Sequence, residues 1–270
     1  MPVSSFVELT HPENPKTSCR ISHQGATVVS WKVENKEQIW TEDAAGGIPL
    51  VFPVYGRSKG SRESGFSRNA TWRYVGECPS ANPTVQLQLQ SKDVDPSVVA
   101  HWSRGAEFTL LLTVCLQPTK LSLSIEVLNA GSVPFSFHWL FQNHLRVPDI
   151  TDVVVNNLPG QHVHDLVLDA HYVEQSPMIG FTEEAERVYE CVHTRIPVQV
   201  IEFGKPVMEV DRHNLPDVVL WTPWAAKKGW QALVGVQSGH IHKWIELKAE
   251  ERWSATQILE KTDEIKMVAL

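Results

Sequence analysis

The sequence predicts an all-β fold, two large antiparallel sheets stacked face to face. Three observations predict it. Stretches that alternate apolar and polar residues with a period of two recur along the chain. Several are joined by short turn-like connections, which makes consecutive strands antiparallel. No amphipathic pattern of about 12 residues or more competes with them as a helix.

The elements follow in order. Residues 27–33 put Thr27, Val29, Trp31 and Val33 on one face of a half-buried strand, and Glu34 to Glu37 is a polar turn. From Gly46 to Arg57 glycines and prolines interrupt large apolar groups, so this segment is irregular and laid against the core. A polar, glycine-bearing loop covers 58–67. Residues 84–90 then alternate without a break, with Val85, Leu87 and Leu89 inward and Gln86, Gln88 and Gln90 outward. Residues 107–116 and 121–127 are the next two strands, joined by a tight turn at 117–120. Asp95 followed by Pro96 is a helix start, an N-cap and a first-turn proline, but the segment to Trp102 allows only a turn or two.

Residues 135–150 form a strand bracketed by Pro134 and Pro148. Phe135, Phe137, Trp139, Phe141, Asn143 and Leu145 share one face; Ser136, His138, Leu140, Gln142, His144 and Arg146 share the other. A polar row along so apolar a strand is costly unless it meets partner groups, water or a ligand cavity. Short strands are expected at 152–156, 198–203, 207–210, 217–221, 232–236 and 253–258. Without a repeat or a break in composition, residues 1–270 read as one domain.

Composition removes several function classes. A net charge of -7 with scattered Lys and Arg argues against a nucleic-acid or anionic-membrane partner. Cys19, Cys78, Cys115 and Cys191 have no paired spacing, which fits reduced thiols and a cytoplasmic setting. The N-terminal residues lack the basic and apolar regions of a signal peptide, and no apolar run approaches the roughly 18 residues of a membrane helix. There is no glycine-rich phosphate loop, His-Glu-x-x-His, nucleophile elbow or CxxC. The pairs His162/His164 and His240/His242 could each share a strand face, but neither has a third ligand by spacing, and neither a metal nor a cofactor is expected.

Three segments together carry a resemblance: Gly46-Gly47-Ile48-Pro49-Leu50-Val51-Phe52-Pro53, then Gly65-Phe66-Ser67-Arg68-Asn69 with Trp72, then Asn214-Leu215-Pro216-Asp217 through Trp221-Thr222-Pro223-Trp224. In this order they resemble the aldose 1-epimerase superfamily, and within it the glucose-6-phosphate 1-epimerases. The resemblance runs from about Gly25 to Leu259. It implies a galactose-mutarotase-like antiparallel β-supersandwich with a sugar cleft, and a reaction that opens and recloses a hexose ring at its anomeric carbon. Such a reaction needs a base for the anomeric hydroxyl and an acid for the ring oxygen. The resemblance implies Glu as base and His as acid.

This chain departs from that pattern at both positions. Gln142 stands where the family has its acid, and Gln237 stands where it has its base. A carboxamide hydrogen-bonds but exchanges no proton near neutral pH. Loss of one acid or base typically costs about 10²- to 10⁴-fold in rate. Ser64 replaces the His before Gly-Phe-x-Arg-Asn, and Ala45 replaces the arginine that the phosphate-using branch employs as an anion contact. The candidate substrate contacts are Arg68 and Asp217 in their motif places, with Arg57, Arg62 and Ser64 beside them. His144, about 6–7 Å beyond Gln142 on the same strand face, is a candidate displaced acid; no spacing argument places Glu246 as the base.

The leading expectation is a glucose-6-phosphate 1-epimerase-like protein that binds a hexose or hexose phosphate but has lost effective catalysis. Two alternatives stand beside it: an active epimerase using His144, and a non-enzymatic subunit that meets an unidentified protein partner through some of its ten tryptophans.

Overall fold

A computed structural model describes residues 5–42, 45–56 and 65–262. Of the residues singled out above, Arg57, Arg62 and Ser64 lie outside the described residues.

Two large antiparallel sheets dominate. The nine-stranded sheet runs in the order Met178–Gly180, Val153–Asn156, Val198–Glu202, Lys205–His213, Arg252–Lys261, Lys120–Asn129, Phe108–Leu116, Thr84–Gln90 and Arg73–Glu77. Its middle is a product of alternation. Leu87 lies opposite Leu112 and Leu112 opposite Ile125, so one face is continuous hydrocarbon. Each such side chain contributes about 1.5–3 kcal/mol on burial. The other face carries cross-strand polar pairs, Gln86 to Thr113 at 3.1 Å and Ser124 to Thr256 at 2.8 Å.

The eight-stranded sheet runs Ala170–Val173, His162–Asp165, Ala185–Glu190, Asp217–Thr222, Leu233–Leu247, Phe135–Phe141 and Leu50–Val51, with His144–Arg146 also paired to Leu233–Leu247. Its inner face packs on the first sheet; Phe137 meets Trp253 with ring centroids 5.5 Å apart. Its outer face holds a second apolar cluster of Val51, Leu140, Val188, Val219 and Ile241, with Tyr55 and Trp221 against it. That outer face carries the candidate site considered below, where the resemblance implies the sugar cleft.

The segment from Gly46 is core, as its composition implies. Ile48, Leu50, Val51 and Phe52 are fully buried, and Phe52 sits among Phe66, Trp102, Phe108 and Phe137. The short helix Pro96–Trp102 has Asp95 as its N-cap, accepting from the Ser97 amide.

Two expectations need correction. The strand expected at 27–33 is Val28–Val33, and a bulge opposite Arg20 and Ile21 makes Val28, not Val29, the buried partner of Trp31 and Val33. The strand expected at 232–236 runs through to Leu247. Strands also form at Phe6–Thr10, Ser18–Ser22, Ala170–Val173 and Ala185–Glu190, which were not among the expected strands. Among the described residues no helix is long and apolar enough to cross a membrane.

Candidate functional site

The site begins at a break in the strand expected over 135–150. Phe135–Phe141 ends, Gln142 and Asn143 interrupt it, and His144–Arg146 resumes pairing with the same neighbour. Asn143 holds the break. Its Nδ2 donates to the Val236 carbonyl at 2.8 Å and to Gln257 Oε1 at 2.9 Å, while Gln257 Nε2 donates back to Asn143 Oδ1 at 2.8 Å. This fully buried pair of amides ties the two large sheets together and points Asn143 into the core. By alternation Gln142 and His144 are then on the opposite, outer face.

The backbone of the break is clamped from the other side by the Gly46–Pro53 segment. Gln142 donates to the Pro49 carbonyl at 2.9 Å and His144 to that of Gly47 at 3.1 Å. Gly46 makes this approach possible: its φ is +90°, and a Cβ there would collide with the Trp40 carbonyl oxygen.

Gln237 comes to the same place from the neighbouring strand. Phe141 pairs with Ser238 and His144 with Gly235, so Gln142 and Asn143 face Gln237 and Val236. The two glutamines are thus on adjacent strands, which run about 5 Å apart. Gln237 lies opposite Val219 and is flanked by Gly235 and Gly239. Trp221 covers Gly235, where a Cβ would come within 3.0 Å of the tryptophan side chain; Leu140 and Ile241 cover Gly239. Gln237 therefore sits in a slot between an indole and two aliphatic side chains. It is 3% exposed, and its Oε1 has no hydrogen-bond partner among the described residues.

His144 borders the slot, 5.1 Å from Trp221 and 6.5 Å from Trp40, ring to ring. Burial first, then the nearby charges of Lys227 and Arg68, lower its pKa from 6.5 to about 3, against the opposing pull of the Gly46 and Gly47 backbone. Arg68 lies in the turn Ser67–Asn69, held where Ser67 Oγ donates to the Leu50 carbonyl at 2.7 Å and Trp72 Nε1 donates to that of Ser67 at 3.1 Å. Lys227 Nζ stands 5.0 Å above the Trp221 ring. Its loop is fixed by Lys228 pairing with Glu42 at 2.9 Å and by Trp40 Nε1 donating to the Gly229 carbonyl at 3.0 Å.

Asp217, expected to accept from sugar hydroxyls, spends its carboxylate on backbone. Oδ1 accepts from the Cys191 amide at 3.1 Å, and Oδ2 from those of Ile241 and His242 at 2.7 and 2.8 Å. It is 1% exposed and shapes the irregular pairing between Leu233–Leu247 and Phe137–Trp139. Beyond it, His138 stacks on half-exposed Trp244 at 3.8 Å, and burial, aided by His240 and opposed by Asp217, lowers its pKa to about 4. Glu246 lies opposite Ser136, well along the strand from Gln237.

Gln142, Gln237 and His144 are brought together, with Arg68 near enough to act on His144. Lys227, Trp221 and Trp40 complete the surroundings without having been singled out as site residues. The sequence marked 227–228 as locally basic and 221 as part of a motif, but nothing local shows that the loop folds back to residue 144. Among the described residues no three His, Cys, Asp or Glu side chains form a metal-binding group, and His164 instead stacks on His171 at 4.1 Å.

Comparison with known proteins gives the family and the fold. A protein from Cenchrus ciliaris named as a candidate glucose-6-phosphate 1-epimerase is 27% identical over 258 residues, covering 85% of this chain and 77% of that one. A Salmonella typhimurium protein of the same name is 25% identical over 231 residues, covering 80% and 74%. In fold, the chain matches the structure of a candidate mutarotase, YeaD, from Salmonella typhimurium with a TM-score of 0.77 at 21% identity, covering 92% of this chain and 88% of that one. It matches Slr1438 from Synechocystis with a TM-score of 0.80 at 15% identity, covering 97% of each. The aldose 1-epimerase family description matches residues 7–260. The chain belongs to the aldose 1-epimerase family, and it is similar to that family's glucose-6-phosphate 1-epimerase members.

Proposed function

We propose that this protein binds a hexose or hexose phosphate in the cleft on the outer face of the eight-stranded sheet and does not effectively interconvert its anomers. The observation that carries the reading is that Gln142 and Gln237, the residues at which the resemblance implies an acid and a base, are carboxamides on adjacent strands. They keep hydrogen-bonding shape and cannot move a proton.

The surroundings support binding. Gln237 Oε1 is a desolvated acceptor, a group whose unmade hydrogen bond costs about 1–3 kcal/mol and which a sugar hydroxyl can satisfy. The indole of Trp221 offers an apolar wall beside it, the combination of apolar lining and few polar groups usual for a small-molecule site.

The surroundings also weigh against catalysis by His144. Burial and the nearby cations push its pKa well below neutral, so the imidazole carries little charge at pH 7. It is neutral in the resting protein and a poor proton donor to a ring oxygen.

The test is ligand-observed NMR with glucose 6-phosphate and glucose. Line broadening without anomer exchange above the buffer rate is expected. Exchange that disappears in His144→Gln would establish the displaced-acid enzyme instead. A folded protein that neither broadens the lines nor speeds exchange would leave the scaffold role.

A further inference from the structure

We propose that His164 and His171, side by side at the open edge of the eight-stranded sheet, form a two-imidazole site for a divalent ion such as Zn²⁺, apart from the glutamines and independent of any sugar.

The starting point is the pair His162/His164, whose spacing supplies no further ligand. Strand pairing supplies one. Ala170–Val173 is the outermost strand of the sheet, and it sets His171 directly opposite His164. Residues so placed project from the same face, with Cβ atoms about 4.5–5.5 Å apart. The two rings stack with centroids 4.1 Å apart and planes at 19°. Among the described residues neither imidazole makes a hydrogen bond or an ion pair, so the ring nitrogens are uncommitted. His171 is exposed and His164 half-buried, which leaves the pair open to an ion from solvent.

The hairpin that carries them is fixed. Asp165 is 2% exposed; its Oδ1 accepts from the amides of Val167 and Leu168, each at 3.0 Å, and its Oδ2 meets Arg187 at 3.2 Å. The turn between the two strands is thereby tied down beside the histidines. Two imidazole nitrogens on a tetrahedral Zn²⁺, each about 2.0–2.1 Å from it, lie roughly 3.3 Å apart. Rings already stacked on opposed residues reach that separation by side-chain rotation, with the backbone unchanged.

The donor type selects the ion. Neutral imidazole suits Zn²⁺, Cu²⁺ and Ni²⁺, whereas Mg²⁺ and Ca²⁺ take oxygen ligands. Among the described residues no third His, Cys, Asp or Glu completes a metal-binding group, so water fills the other positions. Register also separates this site from the glutamines. His164 lies opposite Val188, Val188 opposite Val219, and Val219 opposite Gln237. Three strand spacings are about 14–15 Å.

The experiment is calorimetric titration of the untagged full chain with Zn²⁺, and with Mg²⁺ as the oxygen-seeking control. The wild type is compared with His164→Gln, His171→Gln and His213→Gln, the last an exposed histidine of the nine-stranded sheet. Each variant is first checked for unchanged thermal unfolding without metal. The expected result is one Zn²⁺ per chain for the wild type and for His213→Gln, with affinity at least about 10-fold weaker in His164→Gln and in His171→Gln, and no binding of Mg²⁺. The NMR signals of the His164 and His171 rings in the wild type should move or broaden as Zn²⁺ is added, a readout that does not depend on the variants folding. Absence of Zn²⁺ binding, affinity unchanged in His164→Gln and His171→Gln, a loss in His213→Gln as large as theirs, or ring signals that stay in place would overturn the inference.

Discussion

His144 shows how one side chain can be chemically quiet in a polar cleft. It is buried, it faces the cations Lys227 and Arg68, and its pKa falls from 6.5 to about 3. The folded state therefore binds fewer protons than the unfolded chain between those two values. Stability is fully present above pH 6.5 and is lost as pH falls toward 3. His144 alone should remove about 2–3 kcal/mol between pH 7 and pH 4.5. His138, lowered to about 4, adds a smaller loss of the same sign. Urea unfolding at the two pH values should show the acid loss shrinking by about that 2–3 kcal/mol in His144→Gln; an unchanged pH dependence would mean that His144 is not held neutral. Asp217 makes the opposite point. With three backbone amides on its carboxylate, Asp217→Asn should cost about 2–4 kcal/mol of stability, because the introduced NH₂ must displace at least one of those donors. A fully stable variant that only loses sugar affinity would return Asp217 to the ligand. The polar row of Gln142 and His144 was legible in the sequence from alternation alone. The fate of Asp217 was not, since it depends on a distortion in a strand more than twenty residues away.

At the scale of elements, the break after Phe141 organises the cleft, and the Asn143–Gln257 amide pair holds the break. Both residues are fully buried, so removing either leaves its partner unsatisfied. Asn143→Leu and Gln257→Leu should each cost about 2–4 kcal/mol, and the double replacement should cost less than the sum by about 1 kcal/mol or more. Additive losses in denaturant unfolding would show that the two amides do not act together. The break lay hidden in an apolar stretch because Asn143 continues the alternation of its neighbours; its reach to Gln257 comes from the other sheet. Leu233–Leu247 was legible only to Val236. Gln237, Ser238, Gly239, His240 and His242 carry no strand-like alternation, and their conformation is imposed by ladders on both sides, Asp217–Thr222 and Phe135–Phe141. Val29 failed for a related reason: one extra residue in a bulge changes which side chain faces in. By contrast, strands 84–90, 108–116 and 120–129 alternate faithfully because one face meets core and the other polar neighbours.

For the whole molecule, the nine-stranded sheet is a support and the eight-stranded sheet a platform with two buried faces. The first buries Phe137, Trp139 and Phe141; the second presents Leu140, Val219 and Gln237 to the cleft. The architecture was legible in the sequence because repeated strands and short turns leave few alternatives. The convergence of Arg68, His144 and Lys227 was not, since it joins positions roughly 80 residues apart that only the folded sheet brings near. The central claim, that this family member keeps the cleft and lacks the proton transfer, is tested most directly by saturation-transfer NMR of glucose 6-phosphate anomers. The wild type and Gln142→His/Gln237→Glu would be compared in the same buffer. The account predicts exchange at the buffer rate with broadened ligand lines for the wild type, and exchange above buffer once both proton-transfer groups are present. Exchange well above buffer in the wild type would contradict it.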